Sequence, residues 1–270
     1  MKTPNTLQTS PETQSHLNAN LTKGMVIGFL GIAMFSFTLP MTRYAIQFAD
    51  PLVVAWARAV VAGLCAAGLL ALTGQRRPTR PELALLAGAI VGIVFGWPTL
   101  SSLSMKYAPA AHGAVINGLL PISTAMMGAW LAKERLNAAF WWAACVGSAV
   151  VAVYAVWEGA GHLQAGDGVM LAAVVMGGLG YAAGGTAART LGGWQTNCWA
   201  LVLALPLTTA ASAWALTAYP VNFSTVPAAA WGAFAYLALV SQLIGFLRGT
   251  RGWLWAAWGG WVRCSSCKCL

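Results

Sequence analysis

Polar side chains that could bind a ligand lie at only a few positions within the long apolar runs of this sequence. Arg58 lies about two turns into one run and carries a permanent cation, and His112 and Asn117 lie at the start of another. Trp97 precedes a proline in a third run. A polar group inside hydrocarbon is costly, which makes each of them a candidate functional contact. We predict that Arg58 contacts an anionic group, such as a carboxylate, and that the other three line a substrate pathway.

Structural roles compete with these functional ones. Arg58 could extend to the lipid headgroups or donate to helix carbonyls, because long basic side chains reach the interface in this way. Asn117 could hydrogen-bond a neighbouring helix, and His112 could lie at the membrane surface. Both interpretations stay open at the level of sequence.

Prolines and glycines interrupt the apolar runs in a pattern of their own. Pro40 and Pro98 each fall inside a run, where a proline frees a backbone carbonyl that either lines a cavity or marks a static kink. Gly88, Gly92 and Gly96 form a stripe of small residues four positions apart. Such a stripe predicts close packing against another helix.

The groups that enzymes use for chemistry are missing from the runs. All six acids fall between or beyond them: Glu12, Asp50, Glu82, Glu134, Glu158 and Asp167. No buried carboxylate is therefore expected to act as a proton relay. The sequence has no Gly-Lys-Ser/Thr phosphate loop and no converging Ser/His/Asp set, so we expect no use of ATP, no catalytic residue and no cofactor.

The six cysteines fall into two groups. Three lie inside apolar runs and are predicted to be small buried residues: Cys65, Cys145 and Cys198. The others form the pattern Cys264-x-x-Cys267-x-Cys269 near the C-terminal end. That spacing could hold a soft metal, but a fourth ligand and a folded scaffold are lacking, so we predict no metal site.

The overall composition explains why the runs are so long. Of 270 residues, 59% are hydrophobic and 8% are charged, whereas a soluble domain carries about a quarter charged residues. Such a chain cannot coat a core with polar surface, but lipid can solvate an apolar exterior. The net charge of +9 does not indicate nucleic-acid binding, because the basic residues are scattered through short loops.

Eight stretches are long and apolar enough to cross a bilayer as helices, which needs about 20 residues each. They are 25–46, 52–72, 83–104, 110–131, 138–157, 168–190, 195–217 and 228–247. The predicted fold class is all-α, a polytopic transmembrane helix bundle.

Loop charges predict the orientation of this bundle. With the N-terminus in the cytoplasm, the basic residues on the inner side are Lys2, Lys23, Arg76, Arg77, Arg80, Lys133, Arg135, Arg189, Arg248, Arg251, Arg263 and Lys268. Only Arg43 and Lys106 fall outside. Cytoplasmic loops carry the excess of Lys and Arg, so both termini are predicted to be cytoplasmic and the membrane to be a bacterial-type inner membrane.

An internal repeat relates the two halves of the chain. Residues 24–72 and 168–217 each begin with a Gly-rich helix, have a basic residue about twenty positions on (Arg43 and Arg189), and continue into a helix with an early tryptophan. The unit is five helices, so the second copy must be inverted. The predicted units are a disordered cytoplasmic leader at 1–22, the first repeat at 23–157, a second and incomplete repeat at 158–247, and a basic Trp- and Cys-rich tail at 248–270.

The passage 101–136 carries the most specific pattern, with alanine and small residues, a Leu-x-Pro step and a Glu-Arg pair. It resembles the EamA type of the drug/metabolite transporter superfamily, and Arg58 resembles an arginine that the family often carries in its second span. The similarity covers about residues 24–247. It implies ten spans in two inverted five-helix repeats, and transport of small metabolites, amino acids or drugs.

The end of the chain departs from that plan. Residues 248–270 are rich in Trp, Arg and Cys, and their apolar part, 252–262, is too short for a span. Such residues arise when GC-rich coding DNA is read in a shifted frame. Our hypothesis is a frameshifted, truncated product without spans nine and ten, which sequencing of the locus would test.

These observations together predict an integral inner-membrane transporter that works by alternating access and is not an enzyme. Its expected partners are the lipid bilayer and a small-molecule substrate. The alternative is a truncated membrane protein that transports nothing, and is inactive or serves only as a binding or structural component. If the second repeat is incomplete, activity would require pairing with a second copy as a homodimer.

Overall fold

The computed structural model describes residues 29, 31, 33–132, 137–158 and 165–244, and every regular element within them is helical. The helices are α1 Thr38–Ala45, α2 Pro51–Thr73, α3 Arg80–Tyr107, α4 Ala110–Leu131, α5 Ala138–Glu158, α6 Ala165–Leu191, α7 Gly193–Ala218 and α8 Ala228–Ile244. They follow the order of the eight predicted spans, and the all-α prediction is confirmed. The predicted leader, the Glu134-Arg135 pair and the C-terminal tail with its three cysteines lie outside the described residues.

Length and exposure of these helices identify a membrane protein. Within the described residues, α2, α3, α4, α6 and α7 are long and apolar enough to cross a bilayer, and Ala138–Val151 and Ala228–Ile244 are shorter apolar helices. Large apolar side chains cover the outside of the bundle: Leu72 is 88% exposed, Trp142 74% and Trp157 80%. Lipid solvates such a surface, whereas water does not. The chain is a polytopic helical membrane protein.

Local sequence signals determine both ends of α2. The Asp50 carboxylate accepts a hydrogen bond of 2.9 Å from the backbone N–H of Leu52, and Pro51 occupies the first turn, where a missing N–H costs nothing. At the other end Gly74 has φ 58°, a left-handed conformation that glycine adopts without strain. The gap between the predicted spans 25–46 and 52–72 therefore contains a helix cap at Asp50.

A carboxylate at the start of α3 ties three segments together. Glu82 accepts hydrogen bonds from the Thr79 backbone N–H at 2.7 Å and from both terminal nitrogens of Arg76 at 2.6 and 3.0 Å. Arg76 also donates to the carbonyl of Thr190 at the end of α6, 3.0 Å away. The hydrogen bonds to Glu82 raise the pKa of Arg76 above its usual value. Helices α2, α3 and α6 therefore meet at one polar cluster.

Substitutions at Glu82 should separate its two roles. Glu82→Gln can still accept from the Thr79 backbone, as glutamine does in capping boxes, but it loses the charge-assisted pair with Arg76. Glu82→Ala loses both. We expect the melting temperature in detergent to fall in the order wild type, Gln, Ala. Equal melting temperatures for Gln and Ala variants would contradict a contribution from the cap.

The glycine stripe on α3 packs directly on α6, as predicted. A Cβ atom on Gly92 would lie 2.4 Å from the Cα and the backbone nitrogen of Gly180, and one on Gly88 would lie 3.0 Å from the Cβ of Ala183. The two backbones are therefore in contact at Gly92. Because α3 belongs to the first predicted repeat and α6 to the second, this contact joins the two halves of the chain.

The middle of α3 is irregular, although Pro98 does not end the helix. Residues Ile90–Gly96 form a π-helical segment, and the α-helix resumes at Trp97 with Pro98 in its first turn. A π-helical turn is wider than an α-helical turn. It therefore accommodates Pro98, which has no backbone N–H to donate, and the helix continues. A second π segment, Tyr236–Ile244, forms the end of α8.

Two predictions from sequence are wrong. Cys65 and Cys145 are exposed and only Cys198 is buried, because an apolar run in a membrane helix has a lipid face as well as a protein face. The expectation that no carboxylate is buried also fails. Asp167 is 9% exposed and Glu82 6%, since α6 and α3 begin about three residues earlier than predicted and include both acids.

Candidate functional site

The guanidinium of Arg58 lies inside the bundle on α2. Arg58 is 1% exposed, and its three side-chain nitrogens have no hydrogen-bond partner within the described part of the chain. Its guanidinium carbon lies 5.9 Å from the centre of the Trp97 ring on α3, a cation–π distance. Arg58 therefore neither extends to the headgroups nor donates to a described helix carbonyl. None of its side-chain N–H groups donates to a described residue.

Trp97 is held from two sides. Its indole Nε1 donates a 3.1 Å hydrogen bond to the Oδ1 of Asn117 on α4. A Cβ on Gly177 of α6 would lie 2.9 Å from the Trp97 Cδ1, so this glycine makes room for the ring. Asn117 therefore does hydrogen-bond a neighbouring helix, which is one of the roles that the sequence left open. This hydrogen bond holds the Trp97 ring next to Arg58.

A fourth helix adds an aromatic group that sequence reasoning missed. Tyr181 lies one turn beyond Gly177 on α6, the glycine that makes room for the Trp97 ring. Sequence reasoning also did not single out Ser102 on α3 as a buried polar group; it is fully buried, and its Oγ has no partner among the described residues. The run Ser101-Ser102-Leu103-Ser104 in an otherwise apolar helix was the signal that could have found it. Arg58, Trp97, Asn117 and Tyr181 thus come from α2, α3, α4 and α6.

The hydrogen bond between Trp97 and Asn117 can be tested by a double-mutant cycle. Trp97→Phe and Asn117→Leu each leave one polar atom unpaired, which costs about 1 kcal/mol for a partly buried group. The double variant leaves neither unpaired, so its loss of unfolding free energy should be smaller than the sum.

A matched control for this cycle is Trp199→Phe. The Trp199 Nε1 is buried without a hydrogen-bond partner in the described residues, so the same atom is removed without breaking a bond. Melting temperatures in detergent would provide the measurement. Additive losses in the cycle would mean that the bond contributes nothing.

His112 is buried within the bundle and lies beside a different group. Its Nε2 is 2.8 Å from the Oδ1 of Asp167 in the first turn of α6. His112 precedes Asn117 by about one and a half helical turns along α4. The structure thus brings Arg58, Trp97 and Asn117 together and pairs His112 with an acid that the sequence placed outside the spans.

A separate apolar cavity of about 140 Å³ lies among α1, α2, α7 and α8. Phe48, Val54, Trp231 and Phe234 are among its lining residues, and none of the four predicted pathway residues lines it. A cavity without polar groups cannot orient a charged or hydrogen-bonding substrate. The polar cluster around Arg58 is therefore the stronger candidate for a binding site.

Comparisons with known proteins place the chain among transporters. Residues 22–156 match the EamA-like transporter family. The uncharacterized transporter YdeK of Bacillus subtilis (strain 168) is 40% identical over 231 residues, which cover 86% of this chain and 79% of the relative. The uncharacterized transporter YyaM of the same organism is 23% identical over 248 residues, 88% of this chain and 78% of the relative.

One solved crystal structure shares the fold. It aligns with 86% of this chain and 79% of its own, with a TM-score of 0.62 and 21% sequence identity. At this level of identity the likeness concerns the helical architecture alone.

Proposed function

Because this chain belongs to the EamA-like transporter family, we propose that it moves small metabolites with an anionic group, such as amino acids or other carboxylates, across the inner membrane. The mechanism is alternating access between the repeats 23–157 and 158–247. Arg58 binds the anion, and Trp97 and Asn117 line the pathway. His112 closes the pathway at one end.

The observation that carries this proposal is the unpaired guanidinium of Arg58. A buried charge without a hydrogen-bonding partner is strongly destabilising, so a fold retains it only when something else compensates. A carboxylate matches the planar fork of the guanidinium and accepts two parallel hydrogen bonds. An anionic substrate would therefore supply the missing partner while it is bound.

Polar contacts at both ends of the bundle support the alternating mechanism. At one end the Oγ of Ser104 on α3 donates to the carbonyl of Gly166 on α6 at 2.8 Å. At the other end Arg76 donates to the carbonyl of Thr190 on α6 at 3.0 Å. Each contact joins the first repeat to the second. Opening either end requires that its own contacts break, and those at the opposite end can stay intact.

The distribution of basic residues supports an orientation for these ends. Arg76, Arg77 and Arg80 cluster where α2 meets α3. We assign that end to the cytoplasm and the turn between α3 and α4 to the outside.

Flux through proteoliposomes tests the proposal. The purified full chain would be reconstituted and supplied with a panel of radiolabelled amino acids, monocarboxylates, uncharged sugars and organic cations. We expect accumulation of at least one compound with a carboxylate, and none of the cations. A folded protein that moves only cations, or that binds a carboxylate without moving it, would contradict the proposal.

A further inference from the structure

We propose that the protein is an exchanger, in which each carboxylate that crosses the membrane in one direction is followed by a second carboxylate in the other. The inference rests on the proposed function, because it takes Arg58 as the group that binds the anion. It adds the coupled species, which is another molecule with a carboxylate taken from the opposite side of the membrane.

The bundle has contacts across both of its ends at once, with a cation between them. The Ser104 Oγ donates to the Gly166 carbonyl at one end, at 2.8 Å, and Arg76 donates to the Thr190 carbonyl at the other, at 3.0 Å. Arg58 lies about 10 Å along α2 from the start of that helix, at 1.5 Å per residue, and is 1% exposed. A carrier that alternates between its two sides must pass through such a closed arrangement.

The charge of Arg58 has little compensation from the described residues. The ion pairs among those residues lie at the two ends of the bundle and join Arg76 with Glu82, Lys106 with Asp50, and His112 with Asp167. Arg58 takes part in none of these pairs, and its three side-chain nitrogens have no described hydrogen-bond partner. The face of the Trp97 ring lies 5.9 Å away and attracts the cation, but a ring carries no full negative charge.

Arginine also has no way to lose its charge on burial. A buried lysine or histidine becomes neutral by releasing a proton, whereas a guanidinium stays protonated in proteins. Closing the bundle around Arg58 therefore strips water from a cation that remains a cation. The free energy of the closed arrangement depends on whether an anion is present beside it.

The closed arrangement is consequently favoured far more by the loaded carrier than by the empty one. A bound carboxylate neutralises the guanidinium and accepts two parallel hydrogen bonds from it. Without a carboxylate, closing costs the desolvation of a lone charge, which an open end avoids because water reaches Arg58 there. A carrier that has released its carboxylate therefore stays open until another carboxylate binds. Exchange is then faster than net movement.

Uptake into two kinds of proteoliposome tests this difference. The full chain is reconstituted, and the vesicles contain either an unlabelled carboxylate or the uncharged solute sorbitol at equal osmolarity. Uptake of the same radiolabelled carboxylate is then measured with pyruvate, lactate and alanine in turn. Equal potassium chloride on both sides, with valinomycin, holds the membrane potential at zero, so that net movement of an anion is not slowed by its own charge.

Vesicles preloaded with the carboxylate should take up the label at least about tenfold faster than vesicles with sorbitol. A tenfold ratio corresponds to about 1.4 kcal/mol, which is less than the desolvation penalty of one buried ion. In Arg58→Met the residual uptake should have a ratio of about one, because the empty carrier closes around no charge. Arg77→Met, which removes an exposed arginine, should keep the ratio of the wild type.

A buried methionine near the outer end provides a measurement that does not depend on flux. Met105 is fully buried on α3, close to Gly113 of α4 and Met170 of α6. In a background without the six native cysteines, Met105→Cys places a thiol there, which a charged maleimide reaches only when these helices separate. With Arg58 present, the exchanged carboxylate should slow this labelling about fivefold, the lower end of typical couplings. Phe223→Cys, at a position 56% exposed in the loop before α8, should label at one rate throughout.

The two proposals fail on different results. Equal uptake into both kinds of vesicle would overturn exchange and leave carboxylate transport in place. A tenfold ratio that persists in Arg58→Met would also overturn it, since the charge of Arg58 would not be the cause. If that variant moves too little label, Met105→Cys decides: labelling in the presence of Arg58 that ignores the carboxylate contradicts exchange. No uptake of any carboxylate into either kind of vesicle would remove the proposed function, and exchange with it.

Discussion

Arg58→Met should reduce the flux of carboxylate substrates by about two orders of magnitude and leave the protein at least as stable as the wild type. Two charge-assisted hydrogen bonds to one carboxylate, at about 1.5–3 kcal/mol each, are large enough for such a loss. Methionine has a similar length and fills the same buried space without a charge. Removing an unpaired buried cation relieves its desolvation penalty, so the melting temperature should stay equal or rise.

The opposite signs of these two effects make the experiment specific. A residue that only supports the fold would lower flux and stability together, whereas a binding residue exchanges stability for function. Arg77→Met is the matched control, because Arg77 is exposed in the loop before α3 and undergoes the same chemical change. Arg58→Lys keeps the charge but loses the planar fork, and should retain an intermediate flux. Unchanged carboxylate flux in Arg58→Met would remove Arg58 from the site.

The sequence singled out Arg58 but left open whether its side chain is buried or reaches the headgroups, and it did not predict the surroundings of that side chain. An arginine about two turns inside an apolar run has few alternatives to burial, and only its extension to the headgroups had to be excluded. The contact between Trp97 and Asn117 is different, because it depends on how α3 is rotated about its axis relative to α4. The π segment Ile90–Gly96 changes that rotation just before Trp97, and no residue pattern in the sequence indicates a π segment there.

An error in a predicted helix boundary explains why the contact between His112 and Asp167 was missed. Helix α6 begins at Ala165, so Asp167 falls within its first turn and becomes buried beside His112. A shift of three residues was enough to hide this contact. The error for Cys65 has another cause: lipid and protein interior are both apolar, so hydropathy does not distinguish the two faces of a membrane helix. The glycine stripe carried a stronger signal, and its close packing against another helix was predicted correctly.

Gly92→Ala is expected to cost more stability than any other alanine substitution of a described glycine on α3. The added Cβ would lie 2.4 Å from the Cα and the backbone nitrogen of Gly180 and 2.5 Å from the carbonyl oxygen of Met176. All three are backbone atoms and cannot rotate away, so α3 and α6 must separate. Overpacking of this kind costs about 1–3 kcal/mol. Melting temperatures of the purified variants in detergent would measure it.

Gly185→Ala is the control for this substitution. It lies on α6, and a Cβ there would meet nothing within 4 Å, so the same chemical change should stabilise the helix by about 1 kcal/mol. Gly180→Ala should resemble Gly92→Ala, since its Cβ would lie 2.6 Å from the backbone nitrogen of Ile93. Once one alanine has moved the helices apart, the second should cost less than it does alone. Equal melting temperatures for Gly92→Ala and Gly185→Ala would contradict direct backbone contact.

The position of this contact gives it a consequence for transport. Gly92 and Gly180 meet between the Arg76 cluster at one end and the Ser104–Gly166 hydrogen bond at the other, and that hydrogen bond joins the same two helices, α3 and α6. If opening alternates between the ends, the smooth glycine surface is where α3 pivots on α6. Gly92→Ala would add a methyl group to that surface. Flux should then fall even at temperatures well below the melting point of the variant, whereas Gly185→Ala should transport normally.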